Sequence, residues 1–243
     1  MISEFRFSAM IGADVNDRKW ELTLALILLA VVSLLADRSE LLAVVAPAEQ
    51  KKVVVLDAGH GGMDSGKVAV NNKLEKDINL SIVYLLKSAL EEQGITVVLT
   101  RENEEGLYKE SDSNKKLADM KKRCEIIEKS GCTLAVSIHQ NSYHQAGVSG
   151  PQVFYYVTSE KGKKIAEILQ TCLVEELKPA KARTAKSNDN YYLLKNVPCP
   201  IVIVECGFLS NWEEAELLCT EAYQKRVADA VARGILEYLN SVP

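Results

Sequence analysis

Histidine is scarce in this sequence, and the short motifs that several common enzyme classes require are absent from it. Histidine occurs three times in 243 residues, at positions 60, 139 and 144. There is no Gly-x-Ser-x-Gly segment, which argues against a serine hydrolase of the α/β-hydrolase type. None of the six cysteines belongs to a Cys-x-x-Cys pair, so a structural zinc knuckle is not expected.

An excess of positive charge is also missing. The formal net charge is −4, and acidic and basic residues are mixed along the chain. Nucleic-acid-binding proteins usually present a basic face, so nucleic acid is not expected as a partner. With 26% charged and 47% hydrophobic residues, the composition is that of an ordinary globular protein.

The apolar N-terminal segment is typical of an export signal. Residues 22–36 are uncharged, and two basic residues precede them. As a helix this segment would be about 22 Å long, shorter than the roughly 30 Å hydrocarbon core of a membrane. This length favours a signal peptide, whereas the distance to the Ala46–Ala48 cleavage motif favours a signal anchor, and a buried core helix is the third alternative. We expect an extracytoplasmic protein, membrane-anchored or secreted after cleavage, with a tail (1–21) before the segment and a linker (37–52) after it.

The cysteines lie mostly in apolar runs, at Cys124, Cys132, Cys172, Cys199, Cys206 and Cys219. A free cysteine in such a run behaves as a small hydrophobic residue, so we expect buried thiols. Disulfides are the alternative, and the sequence does not determine which cysteines would pair.

Residues 53–240 alternate between strand-like and helix-like patterns. The predicted strands cover 53–57, 95–100, 133–138, 152–157 and 201–206, and the predicted helices cover 77–93, 115–129, 161–177 and 221–239. The alternation predicts a single α/β domain with a mostly parallel, twisted sheet and helices on both faces, plus the N-terminal hydrophobic anchor helix. In such sheets, ligand-binding groups gather at the carboxyl ends of the strands.

Polar residues occur where three of the predicted strands end. His60 and His139 follow two apolar strands, and Glu205 lies inside the apolar run of a third. A charged glutamate in such a run is costly to bury without a cation or a proton. Two neutral imidazoles at neighbouring strand ends can bind a metal ion. The combination predicts a metal site with a carboxylate beside it.

Glu75 is the best candidate for a further metal ligand. A catalytic zinc site uses three protein ligands and keeps one position open for water. Glu75 lies at the first turn of the first long helix, and the loop after His60 can return to it. Asp57 and Asp64 are alternatives for this role, and Asp57 can instead orient an imidazole. Glycines on both sides of His60 allow the backbone to pass close to a metal ion or a substrate.

Five motifs together resemble those of the zinc-dependent N-acetylmuramoyl-L-alanine amidases of the Amidase_3 family. In chain order they are VVVLDAGHGGMDSG, LEKDINLS, LTRE, LAVSIHQN and IVIVECGFLSN, and the similarity covers residues 53–240. The resemblance implies that His60, Glu75 and His139 bind one zinc ion per chain and that Glu205 is catalytic. It also implies hydrolysis of the amide bond between N-acetylmuramic acid and L-alanine in peptidoglycan.

Within the family, the chain is most similar to the CwlD-type amidases of endospore formers, which are short and lack wall-binding repeats. That similarity implies a role in maturation of the spore cortex, where such amidases act with a deacetylase to form muramic δ-lactam. Peptidoglycan and the membrane are then the expected partners, and a deacetylase and an activator protein are further candidates.

In the expected reaction, Glu205 accepts a proton from the attacking water and delivers it to the leaving nitrogen. Asn141, Arg101 and His144 are candidates for substrate binding. Two other functions use the same residues: a zinc peptidase that cuts within the stem peptide, and a wall-binding module without catalysis. The complete set of candidate site residues argues against the second.

Overall fold

The computed structural model of the chain describes residues 19–20, 22–34 and 52–242, in two units that divide after residue 50. In the first unit, residues 19–20 and 22–34 are helical and exposed. No helix among the described residues combines the length and the apolar character needed to cross a membrane. Most of the predicted tail and linker, together with the Ala46–Ala48 motif, lies outside the described residues, so anchor and cleaved signal stay open alternatives.

A six-stranded sheet organises the second unit. Its strands are β1 (Val53–Ala58), β2 (Thr96–Leu99), β3 (Leu134–Asn141), β4 (Gln152–Tyr156), β5 (Lys186–Asn188) and β6 (Ile201–Phe208). Their order across the sheet is β2-β1-β3-β6-β4-β5. All neighbouring strands are parallel except β4 and β6, which are antiparallel. The prediction of a mostly parallel α/β sheet is therefore confirmed.

Helices cover both faces of this sheet. They are α1 (Glu75–Glu91), α2 (Lys115–Lys129), α3 (Glu160–Leu177), α4 (Tyr192–Asn196), α5 (Trp212–Leu218) and α6 (Glu221–Ser241). Val54 and Leu56 of β1 pack in one apolar cluster with residues of α1, α3 and α6. Val55, between them, packs in a second cluster with residues of α2 and α4. Because successive strand residues point to opposite faces, the two clusters lie on opposite sides of the sheet.

β3 and β6 are longer than predicted, and this changes where His139 lies. β3 ends at Asn141 and β6 at Phe208. His139 is thus inside β3 instead of beyond its end, and it is paired in register with Glu205 of β6. The predicted end of β3 was too early because polar His139 was taken to follow a buried strand, whereas the backbone pairing continues through it to Asn141.

The cysteines are all free thiols in the structure. Cys172 and Cys206 are buried, which confirms the expectation for these two. The other four are half-buried, and two of these, Cys132 and Cys199, are in close contact.

Candidate metal centre and active site

The loop after β1 brings His60 to the carboxyl end of the sheet. His60 itself has a positive φ of 65°, an uncommon conformation for a residue with a side chain. A Cβ at Gly59 would lie 2.2 Å from the imidazole of His139, and a Cβ at Gly66 would lie 2.6 Å from Oε2 of Glu75. Glycine is required at both positions because the backbone passes directly against the site side chains.

The side chains of His60, Glu75 and His139 converge at the ends of β1 and β3. Oε1 of Glu75 lies 3.2 Å from Nε2 of His60 and 3.0 Å from Nδ1 of His139. One ligand atom from each residue lies within 4.8 Å of the others. A tetrahedral zinc ion with bonds of about 2.0–2.2 Å separates its ligand atoms by roughly 3.3–3.6 Å. The spacing and the nitrogen–oxygen donor set therefore fit a metal ion.

The electrostatics of this group favour a positive charge. Burial raises the pKa of Glu75, but the hydrogen bonds from His139 and His60 outweigh burial and hold that pKa well below its ordinary value. Burial lowers the pKa of His139, but the Glu75 carboxylate outweighs it, and the pKa of His139 is raised. Such a site attracts a proton or, in its place, a metal ion.

Glu75 is also fixed by the backbone. Its side chain is 2% exposed, and its two oxygens accept hydrogen bonds from the backbone amides of Gln140, at 3.0 Å, and Lys67, at 2.8 Å. These bonds leave little freedom to the carboxylate. Its position at the first turn of α1, as predicted, brings it back to His60.

Glu205 lies beside this group with one oxygen free. It is 7% exposed, and burial raises its pKa to about 7. Its Oε2 is buried and has no hydrogen-bond partner among the residues that the structure describes. Together with His60 and His139 it lines an open pocket of about 580 Å³. Buried polar atoms are normally hydrogen-bonded, so the unpaired oxygen marks Glu205, which lines the pocket, as the carboxylate available for a role in the site.

Asp57 has neither of the roles that the sequence suggested, metal ligand or partner of an imidazole. Its carboxylate accepts hydrogen bonds from Thr100 at 2.6 Å, from Ser137 at 2.5 Å and from Arg123 at 2.6 Å. Both carboxylate oxygens are thus engaged by other side chains, and Asp57 is not part of the group of described residues with metal-ligand spacing.

Arg123 is a site-supporting residue that the sequence analysis missed. It is 1% exposed, and besides Asp57 it contacts Asp119 and the backbone carbonyl oxygens of Ala58 and His60. It thereby holds the His60 loop in its unusual conformation. No sequence signal distinguished it, because an arginine within a helix is ordinarily exposed.

Asp64, which the sequence offered as an alternative metal ligand, instead contacts His60 from the other side of the ring. Its Oδ2 lies 3.1 Å from Nδ1 of His60, and its Oδ1 accepts from the amide of Gly66 at 3.1 Å. This contact leaves Nε2 of His60 facing Glu75. A carboxylate on the second nitrogen fixes the orientation of a metal-binding imidazole.

We expect Asp64→Asn to weaken zinc affinity about 10- to 100-fold without removing a ligand, because the imidazole of His60 loses its carboxylate partner. Competition with a chromophoric chelator measures the affinity, and Asp189→Asn, at an exposed residue, is the matched control. Equal affinities for Asp64→Asn and the wild type would show that His60 does not depend on this contact.

Arg101, a predicted substrate-binding candidate, is placed by the structure inside the protein, where it supports the loops around the site. It is 3% exposed. Its guanidinium donates to four backbone carbonyl oxygens, those of Ala58, Gly59, Lys76 and Asn103. Arg101 is not among the described residues that line the pocket, and its contact with substrate stays a prediction.

Asn141 and His144 lie away from the pocket. The side chain of Asn141 accepts from the backbone amide of Ser142, and exposed His144 packs against Tyr143 with ring centroids 4.1 Å apart. Neither is among the described residues that line the pocket. Their predicted contact with substrate is not supported by this placement.

The pocket wall includes residues that no motif had identified. Tyr108, Lys116 and Tyr191 line it together with the site residues. Burial and the negative charge of Glu205 raise the pKa of Tyr191 to about 12, so its hydroxyl stays protonated beside the carboxylate. These residues come from loops and helix starts, where the sequence carries no periodic pattern.

Comparison with known proteins gives consistent matches to one family. Residues 54–237 match the N-acetylmuramoyl-L-alanine amidase family, Amidase_3. The germination-specific N-acetylmuramoyl-L-alanine amidase of Bacillus subtilis is 38% identical over 190 residues, which are 77% of this chain and 79% of the relative.

Solved structures of amidases have the same fold. The CwlD amidase of Clostridioides difficile, in complex with the GerS lipoprotein, matches with a TM-score of 0.76 and 40% identity over 79% of this chain and 100% of that chain. Amidase AmiC2 of Nostoc punctiforme matches with a TM-score of 0.70 and 33% identity over 79% of this chain and 99% of that one. With its fold, its site geometry and these similarities taken together, the chain belongs to the N-acetylmuramoyl-L-alanine amidase family of hydrolases.

Proposed function

We propose that this chain is a zinc-dependent amidase that hydrolyses the bond between N-acetylmuramic acid and L-alanine in peptidoglycan. One observation carries the proposal: a His–Glu–His group with metal-ligand spacing lies in one pocket with an unpartnered buried carboxylate oxygen. In the proposed site, zinc is held by His60, Glu75 and His139, and Glu205 acts on the substrate.

In the proposed reaction, the zinc ion and the carboxylate of Glu205 have separate roles. When bound, zinc supplies the Lewis acidity that polarises the scissile carbonyl and makes water a stronger nucleophile. Glu205 accepts the proton of the attacking water on its carboxylate and then delivers it to the leaving L-alanine nitrogen. Burial raises the pKa of Glu205, which favours delivery of the proton to the leaving nitrogen, whereas a bound zinc ion would favour the carboxylate that accepts it.

Similarity to spore amidases supports a narrower proposal for the substrate and the partners. The Bacillus subtilis relative is named as germination-specific, and the Clostridioides difficile CwlD amidase was solved with a lipoprotein. We propose that this chain acts outside the cytoplasm on cortex peptidoglycan, followed by a deacetylase that completes δ-lactam formation. An accessory protein analogous to that lipoprotein is the corresponding candidate activator.

Mass spectrometry of muropeptides tests the proposed reaction directly. Zinc-loaded protein is expected to release stem peptides with a free L-alanine amino group and to leave glycan with a free muramic carboxyl. Protein stripped with a chelator should release none, and added zinc should restore release. Shortened peptides still attached to the glycan would support the zinc peptidase instead. Binding of glycan without any cleavage by zinc-loaded protein would support the wall-binding module.

A further inference from the structure

Two cysteines meet at the end of the sheet opposite the metal centre. Cys132 lies in the turn between α2 and β3, and Cys199 lies just before β6. β3 and β6 are neighbouring parallel strands, with Ala135 opposite Ile201. Each cysteine therefore precedes its strand by a few residues at the amino end, whereas the site residues lie near the carboxyl end.

The two thiols are closer than non-bonded sulfur atoms approach. Their Sγ atoms are 2.7 Å apart, between ordinary non-bonded contact and the S–S bond of about 2.05 Å. Extending the register of Ala135 with Ile201 puts Cys132 one residue out of step with Cys199 on the adjacent strand. Strands about 4.8 Å apart with about 3.3 Å per residue then give a Cα separation of roughly 6 Å, inside the range of roughly 4.4–6.8 Å that a disulfide spans. In the described part of the chain, no other pair of cysteine sulfurs is in hydrogen-bond contact.

The backbone on both sides holds the thiols in place. The amide of Cys132 donates to Oγ of Ser130 at 3.2 Å, which fixes the turn after α2. Cys199 stands between Pro198 and Pro200, whose rings restrict the local backbone. Forming a bond here requires a small movement of side chains and no rearrangement of the fold.

We propose that Cys132 and Cys199 form a disulfide when the protein meets an oxidising compartment. The oxidant is a disulfide, either a small molecule or a thiol–disulfide oxidoreductase. The thiolate of Cys132 attacks one sulfur of that disulfide and displaces the other as a thiolate. The thiolate of Cys199 then displaces the remaining oxidant sulfur and closes the bond. Two electrons pass to the oxidant, which leaves as two thiols carrying the two protons that the cysteines lost.

Cys132 is the suitable attacking group. The hydrogen bond with Cys199 lowers the pKa of the Cys132 thiol against the effect of its partial burial. Cys124, which packs against the same apolar cluster, is a poor competitor because burial raises its pKa to about 11. The short distance between the sulfur atoms and the difference in thiol pKa between Cys132 and Cys124 both favour the pairing of Cys132 with Cys199.

The bond would connect the two strands that carry His139 and Glu205. It closes a loop between residues 67 positions apart in sequence, and crosslinks over long loops stabilise by restricting the unfolded chain. The metal centre lies roughly 20 Å further along the strands at about 3.3 Å per residue. The disulfide should therefore stabilise the fold without taking part in the chemistry.

Differential thiol labelling of the wild type tests this pairing. The full chain is exported into an oxidising compartment, purified without reductant, denatured and alkylated before and after reduction. Four of the six cysteines are expected to react before reduction, and Cys132 and Cys199 only after it. Full alkylation of both before reduction, or a bond from either one to Cys124, would overturn the proposal. The result does not depend on amidase activity, so it stands or fails apart from the proposed function.

Variants measure the consequence for stability. Under non-reducing conditions Cys132→Ser/Cys199→Ser should melt roughly 5–10 °C below the wild type, and reductant should lower the Tm of the wild type but not that of the variant. Cys124→Ser keeps the pair and should keep the response to reductant. A wild-type Tm that reductant leaves unchanged would contradict the stabilising role of the disulfide. This measurement uses only the wild type, so it does not depend on whether a variant folds.

Discussion

Replacing Glu205 by glutamine is expected to lower kcat about 10²- to 10⁴-fold while zinc stays bound. Glutamine has nearly the same shape, so the packing of β6 is retained, but its amide can neither take a proton from water nor return one to the leaving nitrogen. Turnover of a soluble muropeptide gives kcat, and metal analysis of the dialysed protein gives the zinc content.

Glu237→Gln is the matched control for this experiment. Glu237 is an exposed glutamate on α6, and removing its charge should leave both kcat and zinc content unchanged. Wild-type turnover in Glu205→Gln would eliminate Glu205 as the proton-transfer group. Loss of zinc together with turnover would instead make Glu205 a metal ligand and would require a different group for proton transfer.

The residues of the metal centre could be predicted from the sequence because the carboxyl ends of parallel strands lie at one edge of the sheet. His60 and His139 follow or end apolar runs, and β1 and β3 are neighbours in the sheet. Glu205 was conspicuous because a charge inside an apolar run needs a specific reason. Choosing Glu75 over Asp57 and Asp64 was less secure from residues alone, since all three carboxylates lie within reach of the His60 loop.

The contacts that support the His60 loop could not be predicted from the sequence, because they depend on which residues distant in sequence lie close together in the fold. Arg123 and Asp57 are 66 positions apart, and nothing in the pattern of α2 indicates that one arginine is buried. The burial of Arg101, a substrate-binding candidate, was not predicted for the same reason. Hydrophobic periodicity reports which face of an element is buried, and it carries no information about the partner of a buried polar group.

Short elements and strand direction were also beyond prediction. α4 has five residues and β5 has three, too few for either period to be recognised. β4, with the sequence QVFYY, carries no pattern that indicates that it runs antiparallel to β6. Its direction follows from how the chain returns to the sheet after β3, which is a property of the tertiary structure.

The second large effect is expected from Asp57→Asn, which should lower the free energy of unfolding by about 3 kcal/mol at neutral pH. Asparagine leaves Arg123 buried with one carboxylate partner fewer, although Asp119 still pairs with it. The loss is a large fraction of the total stability of a typical domain, about 5–15 kcal/mol. Denaturant unfolding measures it, and Asp229→Asn, which breaks an exposed ion pair with Lys225, should cost under about 1 kcal/mol.

The pH dependence of the stability difference between the wild type and Asp57→Asn distinguishes loss of the charge pair with Arg123 from a change in packing. Burial raises the pKa of Asp57, but Arg123 and the hydrogen bonds from Ser137 and Thr100 lower it from 3.8 to about 2. A pKa that is lower in the folded state stabilises the fold above about pH 4, and that stabilisation is lost as the pH falls through about 2. The gap in stability between wild type and Asp57→Asn should therefore narrow by about 2 kcal/mol between these pH values. A gap that stays constant over the whole range would mean that asparagine destabilises through packing, and that the Arg123–Asp57 charge pair does not support the His60 loop.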